Sequence, residues 1–421
     1  LGFLPSTAFD QAFIRRRELS HTTLAEVSVC IRFKMGASWT KKRSMRQAER
    51  QAKSQVVAFN ASLSAISQAD SVDVLFESGS TEATKLSVND FELLSVIGKG
   101  SFAKVLQVRK IDSGQIYAMK ILKKMTVIQR RQIAHTKSER RVLEKVVKGH
   151  PFIVSLRFAF QSPTKLYLVL DYFNGGELFY WLKQEGRFKE DRARFYAAQI
   201  VLALEHLHQE GVVYRDLKPE NIVLDTKGYL RVTDFGLSKA LEAGQRAFSF
   251  VGTSEYLSPE ILIGKGYDHC VDWWSLGTLL FEMLAGLPPF YTKSTTTMYD
   301  KILHGTIVFP KHFSESAIDL LTGLLHRDHN DRFGHHGTAS IKSHAFFETI
   351  NWEALYRQEL VAPFLPPVAG GSLLDTSNID TEFTAENPCD SPVDMRAGPY
   401  NGHNFDFTGF TYTENTTNPH R

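Results

Sequence analysis

The chain has 421 residues, of which 43% are hydrophobic and 23% charged, a globular composition with room for two or three domains. Its formal net charge of +3 argues neither for nor against nucleic-acid binding. The three cysteines, Cys30, Cys270 and Cys389, are odd in number and show no metal-ligand spacing, so they disfavour a disulfide framework and suit a reducing compartment. No secretory signal is visible, and no apolar run approaches the roughly 20 residues of a membrane span.

Residues 1–63 form a basic N-terminal extension. Within residues 1–60, eleven lysines and arginines stand against four acids, which favours either an anionic membrane surface or a solvated polar face. Phe9–Val27 resembles the helical half of a phox-homology domain, a phosphoinositide-binding module, and Gln55–Leu63 resembles its closing helix. The strands that precede those helices in the module are absent, and the chain starts at Leu1 rather than Met. We therefore expect a truncated remnant of that module.

A linker is predicted for residues 64–90, which are rich in Ser, Thr, Ala and Asp. The following stretch, FELLSVIGKGSFAKVLQVRK, alternates apolar and polar residues and predicts two antiparallel strands joined by a glycine turn. Gly98 and Gly100 allow backbone amides to approach phosphate oxygens because no Cβ intervenes. Lys120 lies in the apolar strand IYAMKIL, where burial without an anionic partner would be costly. The alternative is an edge-strand lysine that faces water.

Two further segments carry clear patterns. Asp191–Gln209 is predicted to be a long helix whose apolar side, formed by Phe195, Ile200, Leu204 and Leu207, belongs to the core. Residues 348–421 are low in regular pattern and rich in Pro, Gly, Asn and Thr, which by itself is typical of disorder.

The chemistry concentrates in VVYRDLKPENIVL, residues Val212–Leu224, and in RVTDFG, which ends a second apolar strand. Phosphoryl transfer requires an acceptor hydroxyl held in line, metal ions that neutralise phosphate charge, and a cation near the moving group. Asp216 can accept the hydroxyl proton and Lys218 can meet the phosphate. Asn221 and Asp234 can hold magnesium. The alternative is an ordinary polar β-hairpin loop.

Together with the glycine loop, the lysine strand and GTSEYLSPE, these motifs resemble the eukaryotic Ser/Thr protein kinases. Tyr214, DWWSLG and the final FxxF resemble the AGC group. VLDYFNGGELF, RARFYAAQI, LPPFYTKSTTTMYDKIL and INWEAL are most similar to the serum/glucocorticoid-regulated kinases, followed by the S6 kinases and Akt kinases. The resemblance implies an α+β, bilobal protein kinase fold. Its parts are a kinase domain at 91–347, with a β-rich small lobe at 91–172 and a helical large lobe at 173–347, and a C-terminal tail at 348–421 that wraps the small lobe.

The resemblance implies ATP and Mg²⁺ as cofactors. Lys120 would contact the ATP phosphates and pair with Glu139 on a helix predicted over Ile133–Val146, and Asn221 and Asp234 would be the metal ligands. The implied catalytic residues are Asp216, Lys218, Lys120, Glu139 and Thr253. The implied nucleotide-binding residues are Ile97, Gly98, Lys99, Gly100, Ser101, Phe102, Ala103, Lys104, Val105, Ala118, Lys120, Leu170, Asp171, Phe173, Glu177 and Val223. Ala103 replaces the third glycine of the family pattern, so we expect a slightly stiffer loop that still admits nucleotide.

The resemblance also implies structural contacts in the large lobe. Glu260 and Arg332 are expected to form a buried ion pair. Asp272 is expected to hold the backbone amides of the catalytic loop, and Thr253 to hydrogen-bond near Asp216.

Three phosphorylation sites are implied: Ser249 in the activation segment, Ser391 in the tail, and Thr411 in the hydrophobic motif FTGFTY. Arg215, Lys239 and His135 are expected around Ser249, whose alternative role is a solvated loop serine. Phe407 and Phe410 are expected to fill a groove lined by Val127, Ile128 and Ile133. IDTEFT, Ile379–Thr384, is expected to cross the nucleotide cleft.

Acidic residues predict the substrates. Glu177, Glu220 and Glu282 match acids that receive arginine side chains in the family, so substrates with Arg three and five residues before the Ser/Thr are expected. We expect upstream activating kinases as partners, no nucleic-acid partner, a monomer, and a cytoplasmic location with endomembrane or nuclear fractions as alternatives. The competing hypotheses are a catalytically dead scaffold and an adaptor tethered to membrane phosphoinositides.

Overall fold

The computed structural model describes residues 86–100, 103–130, 132–145, 149–242, 244–390 and 407–414. The predicted N-terminal extension, Ser101, Phe102 and the predicted phosphosite Ser391 lie outside the described residues, as does most of the linker. The described part forms a β-rich small lobe and a helical large lobe, as the sequence predicts.

Ten strands are present in the described residues, and six of them form one antiparallel sheet in the order β1-β2-β3-β5-β4-β10. Two two-stranded sheets, β6 with β9 and the hairpin β7 with β8, lie outside it. The strands are β1 Phe91–Lys99, β2 Ala103–Lys110, β3 Ile116–Lys123, β4 Leu156–Gln161, β5 Lys165–Asp171, β6 Val212–Val213, β7 Ile222–Leu224, β8 Leu230–Val232, β9 Lys239–Ala240 and β10 Tyr412–Thr413.

Eleven α-helices and five short 3₁₀ helices are assigned in the same described residues. The α-helices are α1 Lys124–Gln129, α2 Ile133–Lys145, α3 Leu178–Glu185, α4 Glu190–Gln209, α5 Pro259–Ile263, α6 Cys270–Ala285, α7 Thr295–His304, α8 Glu315–Leu324, α9 Ala339–Lys342, α10 Trp352–Tyr356 and α11 Thr381–Thr384. The 3₁₀ helices are Val88–Asp90, Pro219–Asn221, Ser254–Tyr256, Ala345–Phe347 and Ala369–Gly371. None of these helices combines the length and the apolar character needed to cross a membrane.

The two strands predicted around the glycine turn pair in antiparallel register, with Leu93 opposite Val108. Because successive side chains point to opposite faces, one face of this ribbon enters the core. The core face includes Val96 and Leu106, both fully buried. Phe383 from the tail packs into the same cluster, so the small lobe completes its core with residues far along the chain.

The large lobe is built around α4 and α6, which contact each other. The predicted helix over Asp191–Gln209 is present and begins one residue earlier, at Glu190. All four of its predicted core residues are buried. Both helices are buried on most of their circumference, so they form the interior on which the functional loops rest.

The β7–β8 hairpin positions the site. Ile222 pairs with Val232 in antiparallel register, so the residue before β7 and the residues after β8 meet at one end of the hairpin. A hydrogen bond from the Thr233 amide to the Asn221 carbonyl closes that end at 2.9 Å. Asn221 and Asp234, thirteen positions apart in sequence, are thereby brought to the same edge.

The C-terminal tail is ordered where it is described, because it packs against both lobes. A Cβ placed on Gly228 would lie 2.1 Å from the Phe364 carbonyl oxygen, so glycine is required for the tail to pass there. The Asn378 side chain donates to the carbonyl oxygens of Asn174 at 3.0 Å and Pro367 at 2.8 Å. The composition of residues 348–421 by itself is typical of disorder, and these long-range contacts explain how the described part of the tail is held in place.

Candidate active site

Lys120 lies on β3 and reaches two carboxylates. Its Nζ donates to Glu139 Oε1 of α2 at 2.6 Å and to Asp234 Oδ1 at 2.8 Å. The Glu139 side chain is only 4% exposed, whereas 48% of the Asp234 side chain faces the open cleft. The predicted helix is present as α2, and Val146, its predicted last residue, lies outside the described residues.

Charge pairing controls these three groups. Burial favours a neutral amine at Lys120, but the carboxylates of Asp234 and Glu139 overcome it and raise the Lys120 pKa. Burial acts to raise the pKa of Asp234, yet the Lys120 ammonium lowers that pKa to about 2. Burial raises the pKa of Glu139, and Lys120 opposes that shift. The cation therefore keeps at least one anion available in the cleft.

Asp216 has both carboxylate oxygens held. Its Oδ1 accepts a 2.8 Å hydrogen bond from the Thr253 hydroxyl, and its Oδ2 accepts one of 2.9 Å from Asn221 Nδ2. Lys218 Nζ lies 2.8 Å from the same Oδ2 and donates to Thr253 Oγ1 at 3.0 Å. The predicted contact of Thr253 with Asp216 is thus formed, and the three neighbouring side chains fix the carboxylate in one orientation.

The loop that carries Asp216 is held from below by Asp272, as predicted. The two Asp272 carboxylate oxygens accept the amides of Tyr214 at 2.9 Å and Arg215 at 2.8 Å. His208 Nε2 lies 2.8 Å from the same carboxylate, a contact that sequence patterns do not predict. Arg215 has φ = 70°, a left-handed conformation unfavourable for a side chain with a Cβ, so these bonds offset local strain.

Asp234 also adopts a left-handed backbone, with φ = 54°. Its Oδ1 accepts the Gly236 amide at 3.2 Å as well as the Lys120 ammonium. Two residues of the site therefore carry strained backbone that the surrounding contacts maintain, a pattern that is concentrated at functional positions.

A cavity of about 300 Å³ lies between the lobes. Most of the predicted nucleotide and metal residues line it. They are Ile97, Gly98, Lys99, Val105, Ala118, Lys120, Leu170, Asp171, Phe173, Glu177, Asn221, Val223 and Asp234, and Glu220 lines it as well.

Among the described residues of the predicted glycine loop, Gly100, Ala103 and Lys104 do not line this cavity. The Gly100 amide donates to the Ala103 carbonyl at 2.8 Å and so closes the turn. Lys104 Nζ instead donates to the carbonyl oxygens of Asn387 and Cys389 in the tail, each at 3.2 Å. Lys104 therefore joins the loop to the tail in this structure rather than facing the cavity.

The predicted cleft-crossing segment does lie at the cleft. A second cavity of about 300 Å³ is bounded by Ile379 and Thr381 on the tail side and by Glu177 on the other. Lys99, at the end of β1, forms an ion pair with Glu386 at 2.7 Å. The tail thus covers one edge of the opening and links it to the glycine loop.

Ser249 lies beside Arg215, one of its predicted basic neighbours. Arg215 Nη1 donates to the Ser249 hydroxyl at 2.8 Å, and Tyr267 contacts the same hydroxyl at 3.2 Å. His135 Nδ1 lies 2.6 Å from the side chain of Gln132. Helix α2 contacts the start of the activation segment through the Ser138 hydroxyl, which donates to the Ser238 carbonyl at 3.3 Å.

The hydrophobic motif occupies the groove formed by α1 and α2. Phe407 and Phe410 are 3% and 2% exposed and belong to one cluster with Val127, with Ile133 packed against it. The third predicted groove residue, Ile128, is half-buried. Behind these rings, β10 pairs with β4, and the exposed Thr411 offers its carbonyl to Arg140 Nη2 of α2 at 3.4 Å.

The predicted ion pair of the large lobe is formed. Arg332 Nη1 and Nη2 contact the two Glu260 carboxylate oxygens at 2.6 and 2.9 Å, and the Arg332 side chain is fully buried. Glu282 is also fully buried and accepts a hydrogen bond from the Tyr256 hydroxyl. Of the three predicted substrate acids, Glu177 and Glu220 line the cleft, whereas Glu282 lies in the interior.

Comparison with known families gives the same picture. The protein kinase domain model matches residues 91–347, and the protein kinase C-terminal domain model matches residues 371–412.

Three curated relatives illustrate the similarity. "Protein kinase 2" of Dictyostelium discoideum is 52% identical over 341 residues, covering 81% of this chain and 70% of that protein. "Serine/threonine-protein kinase YPK1" of Saccharomyces cerevisiae is 51% identical over 310 residues, which is 73% of this chain but 45% of that protein. "Serine/threonine-protein kinase sgk-1" of Caenorhabditis elegans is 46% identical over 338 residues, covering 80% of this chain and 72% of that protein.

The buried charge pair yields a prediction about pH. Replacing Lys120 by Met leaves Glu139 buried without its cation, which raises the Glu139 pKa further. A carboxyl whose pKa rises on folding contributes stability below its unfolded pKa and loses that contribution as pH rises through the folded pKa. The stability penalty of Lys120→Met should therefore grow as pH rises above the ordinary pKa of a glutamate, towards the roughly 3–5 kcal/mol of a broken buried pair.

Thermal unfolding at several pH values measures this penalty. The double variant Lys120→Met/Glu139→Gln is the control, because removing the buried carboxyl should remove the added pH dependence. If the stability penalty of Lys120→Met were the same at every pH, that result would contradict the assignment of Glu139 as the buried partner.

Proposed function

Because the chain belongs to the protein kinase family, as a Ser/Thr kinase of the AGC group, we propose that it transfers the γ-phosphoryl group of ATP to Ser and Thr in proteins with upstream arginines. We propose further that phosphorylation of its activation segment and hydrophobic motif activates it. The observation that carries the first proposal is the fixed orientation of the Asp216 carboxylate beside Asn221, which lines the cleft together with Lys120 and Asp234.

Asp216 is proposed as the group that orients the acceptor hydroxyl and takes its proton. Its carboxylate is held by Thr253 on one oxygen and by Asn221 and Lys218 on the other, so it cannot rotate away from an incoming hydroxyl without losing those bonds. A pre-fixed carboxylate spends little energy on reorganisation during the reaction. Lys218 remains charged because Asp216 and Glu220 raise its pKa against the effect of burial, and it can stabilise negative charge on the phosphoryl oxygens.

The donor set suits a divalent cation, for which we propose Mg²⁺. Asn221 Nδ2 donates a hydrogen bond to Asp216, so the side-chain oxygen of Asn221 is the atom that would bind the metal. Asp234 presents a carboxylate that is half-exposed to the cleft and keeps its charge because Lys120 lowers its pKa to about 2. Carboxylate and amide oxygens are the hard ligands that Mg²⁺ prefers. Bound Mg²⁺ would neutralise charge on the ATP phosphates.

For substrate choice we propose Glu177 and Glu220 as the acids that receive arginine. Both line the cleft between the lobes, where an extended peptide would pass the site. A carboxylate accepts the two parallel N–H groups of a guanidinium, which favours Arg over Lys. Glu282, buried and bonded to Tyr256, is proposed to support this acidic region from the interior.

For activation we propose that two phosphates act on α2. A phosphate on Ser249 would meet Arg215, whose guanidinium already contacts the serine hydroxyl and also donates to the Leu237 carbonyl at 2.6 Å. A phosphate on Thr411 would lie near α2, because the Thr411 carbonyl already contacts Arg140. Both inputs favour the position of α2 in which Glu139 pairs with Lys120. We propose that upstream kinases add both phosphates. We also propose that the protein is a cytoplasmic monomer.

Substitution of Asp216 tests the chemistry. Asp216→Asn should lower peptide phosphorylation by about 10²–10⁴-fold, because general-base assistance is lost. Its ATP affinity should stay within a few-fold, because Asp216 does not line the nucleotide cavity. Asp234→Ala should lose both phosphorylation and metal-dependent ATP binding. Steady-state kinetics with a calorimetric ATP titration measure both effects, and wild-type turnover in Asp216→Asn would end the assignment.

Substitution of the two cleft acids tests specificity. Glu177→Gln and Glu220→Gln keep the shape of each side chain and remove only its charge. Each should cost roughly 1.5–3 kcal/mol in kcat/KM for peptides with upstream Arg, the value of a hydrogen bond to a charged group. Matched peptides with Ala in place of Arg should lose much less. Equal losses on both peptides would mean that the acids serve ATP or the fold.

A double-mutant cycle tests activation. Ser249→Ala and Phe410→Ala, alone and together, are compared for activity after treatment with an upstream kinase. Because both positions are proposed to act through α2, their effects should be coupled by about 1–3 kcal/mol. Rate effects that simply multiply would exclude α2 as the shared element, without affecting the assignment of Asp216.

A further inference from the structure

Cys270, the first residue of α6, lies beside two histidines from the loop between α8 and α9. The thiol of Cys270 and one ring nitrogen each from His329 and His335 all lie within 4.8 Å of one another. Cys270 Sγ is 3.3 Å from His335 Nδ1, and the two histidine rings have centroids 5.6 Å apart. None of the three residues lines the cleft between the lobes.

An ordinary hydrogen bond explains only part of this cluster. A thiol–imidazole bond would account for Cys270 and His335. It leaves His329 Nδ1, which is shielded from solvent and has no hydrogen-bond partner among the described residues. A buried polar nitrogen without a partner costs free energy, and the His329 ring offers a nitrogen within 4.8 Å of a thiol and a second imidazole, so the cluster can take a further ligand.

We propose that Cys270, His329 and His335 bind a Zn²⁺ ion. Zn²⁺ favours thiolate and imidazole together, at about 2.3 Å for sulfur and about 2.0–2.1 Å for nitrogen. Two such ligands at a tetrahedral angle are roughly 3.5 Å apart, close to the 3.3 Å observed between Sγ and Nδ1. On binding, Zn²⁺ replaces the thiol proton, which leaves to solvent.

Residues next to Cys270 in sequence can supply a fourth ligand. Ligand atoms of Asp268 and His269 form a second group with the Cys270 thiol, again within 4.8 Å of one another. The carboxylate of Asp268, or a water molecule, completes the tetrahedron. Carboxylate, imidazole and thiolate are all ordinary zinc ligands, so no unusual chemistry is required.

The site would stiffen the part of the large lobe that supports the catalytic loop. The Cys270 carbonyl accepts a 2.9 Å hydrogen bond from Arg332, which in turn holds Glu260. Two residues along the same helix, Asp272 holds the amides of Tyr214 and Arg215. Zn²⁺ would tie the loop of His329 and His335 to the first turn of α6. This inference does not depend on the proposed substrate or on activation.

Cobalt substitution tests the site without using activity. The full chain is stripped with a strong chelator, dialysed, and titrated with Co²⁺, whose bond to a thiolate gives a charge-transfer absorption in the near ultraviolet. The wild type should show this band at one equivalent, and Zn²⁺ should displace it. Cys270→Ser should abolish it, whereas Cys389→Ser, which removes an exposed free thiol, should leave it unchanged.

The histidine variants give a second measure. His329→Gln and His335→Gln should each weaken Zn²⁺ binding by at least about 10–100-fold in competition with a chromogenic chelator, since even outer-shell changes cost that much. Both positions are only partly buried, so these variants remain informative if Cys270→Ser fails to fold, which circular dichroism would show. Absence of the band in the wild type, or unchanged Zn²⁺ affinity in both histidine variants, would overturn the proposal.

Discussion

The structure depends on one buried cation, the ammonium of Lys120, and on the carboxylates that surround it. Lys120 belongs to the sheet, Glu139 to α2, and Asp234 to the loop after β8 in the large lobe. An ammonium that is mostly buried is tolerated only when it is paired, so the fold must bring both acids to it. Three elements from two lobes are thereby fixed relative to one another. This requirement for pairing shapes the cleft. The Asp234 side chain remains half-exposed there, although it pairs with Lys120.

The C-terminal residues support helix α2. Phe407 and Phe410 share a hydrophobic cluster with Val142 and Leu143 of α2, and Arg140 reaches the Thr411 carbonyl. The strand that follows, β10, is the sixth strand of the small-lobe sheet. Docking of the tail and pairing of Glu139 with Lys120 should therefore stabilise each other.

The same strand is connected to the hinge between the lobes. Arg157 contacts Glu414 at 2.6 Å and Asp171, the last residue of β5, at 2.7 Å. Asp171 also lines the cavity between the lobes. The tail therefore contacts three elements that border the cleft: the end of β1 through Lys99, the end of β5 through Arg157, and α2 through Arg140.

Much of this could be predicted because the informative signals are local. The alternation around Gly98 specified β1 and β2, and the offsets of Asp216 and Asn221 specified a loop flanked by strands. Contacts across long sequence separations gave no local signal. The Asn378 side chain donates a hydrogen bond to the Asn174 carbonyl, for example. Lys104, which was expected to bind nucleotide, contacts the tail instead.

The cysteines show the same limit most clearly. Their spacing along the chain indicated no metal site, because the partners of Cys270 lie about sixty positions away, on a loop that reaches it only in the folded lobe. The left-handed backbone of Arg215 was equally invisible, since it is imposed by the tertiary hydrogen bonds to Asp272. Sequence patterns identify the elements, whereas packing decides which distant side chains meet.

Hydrogen exchange in β10 after loss of the buried pair tests the central claim most directly. In a Glu139→Gln variant, the amides of Tyr412 and Thr413 should exchange at least about tenfold faster than in the wild type, which corresponds to roughly 1.4 kcal/mol. The amides of α4, in the large-lobe core, should exchange as before. Unchanged protection of β10 in a folded Glu139→Gln protein would contradict the account, because docking of the tail would then not depend on the pairing of Lys120.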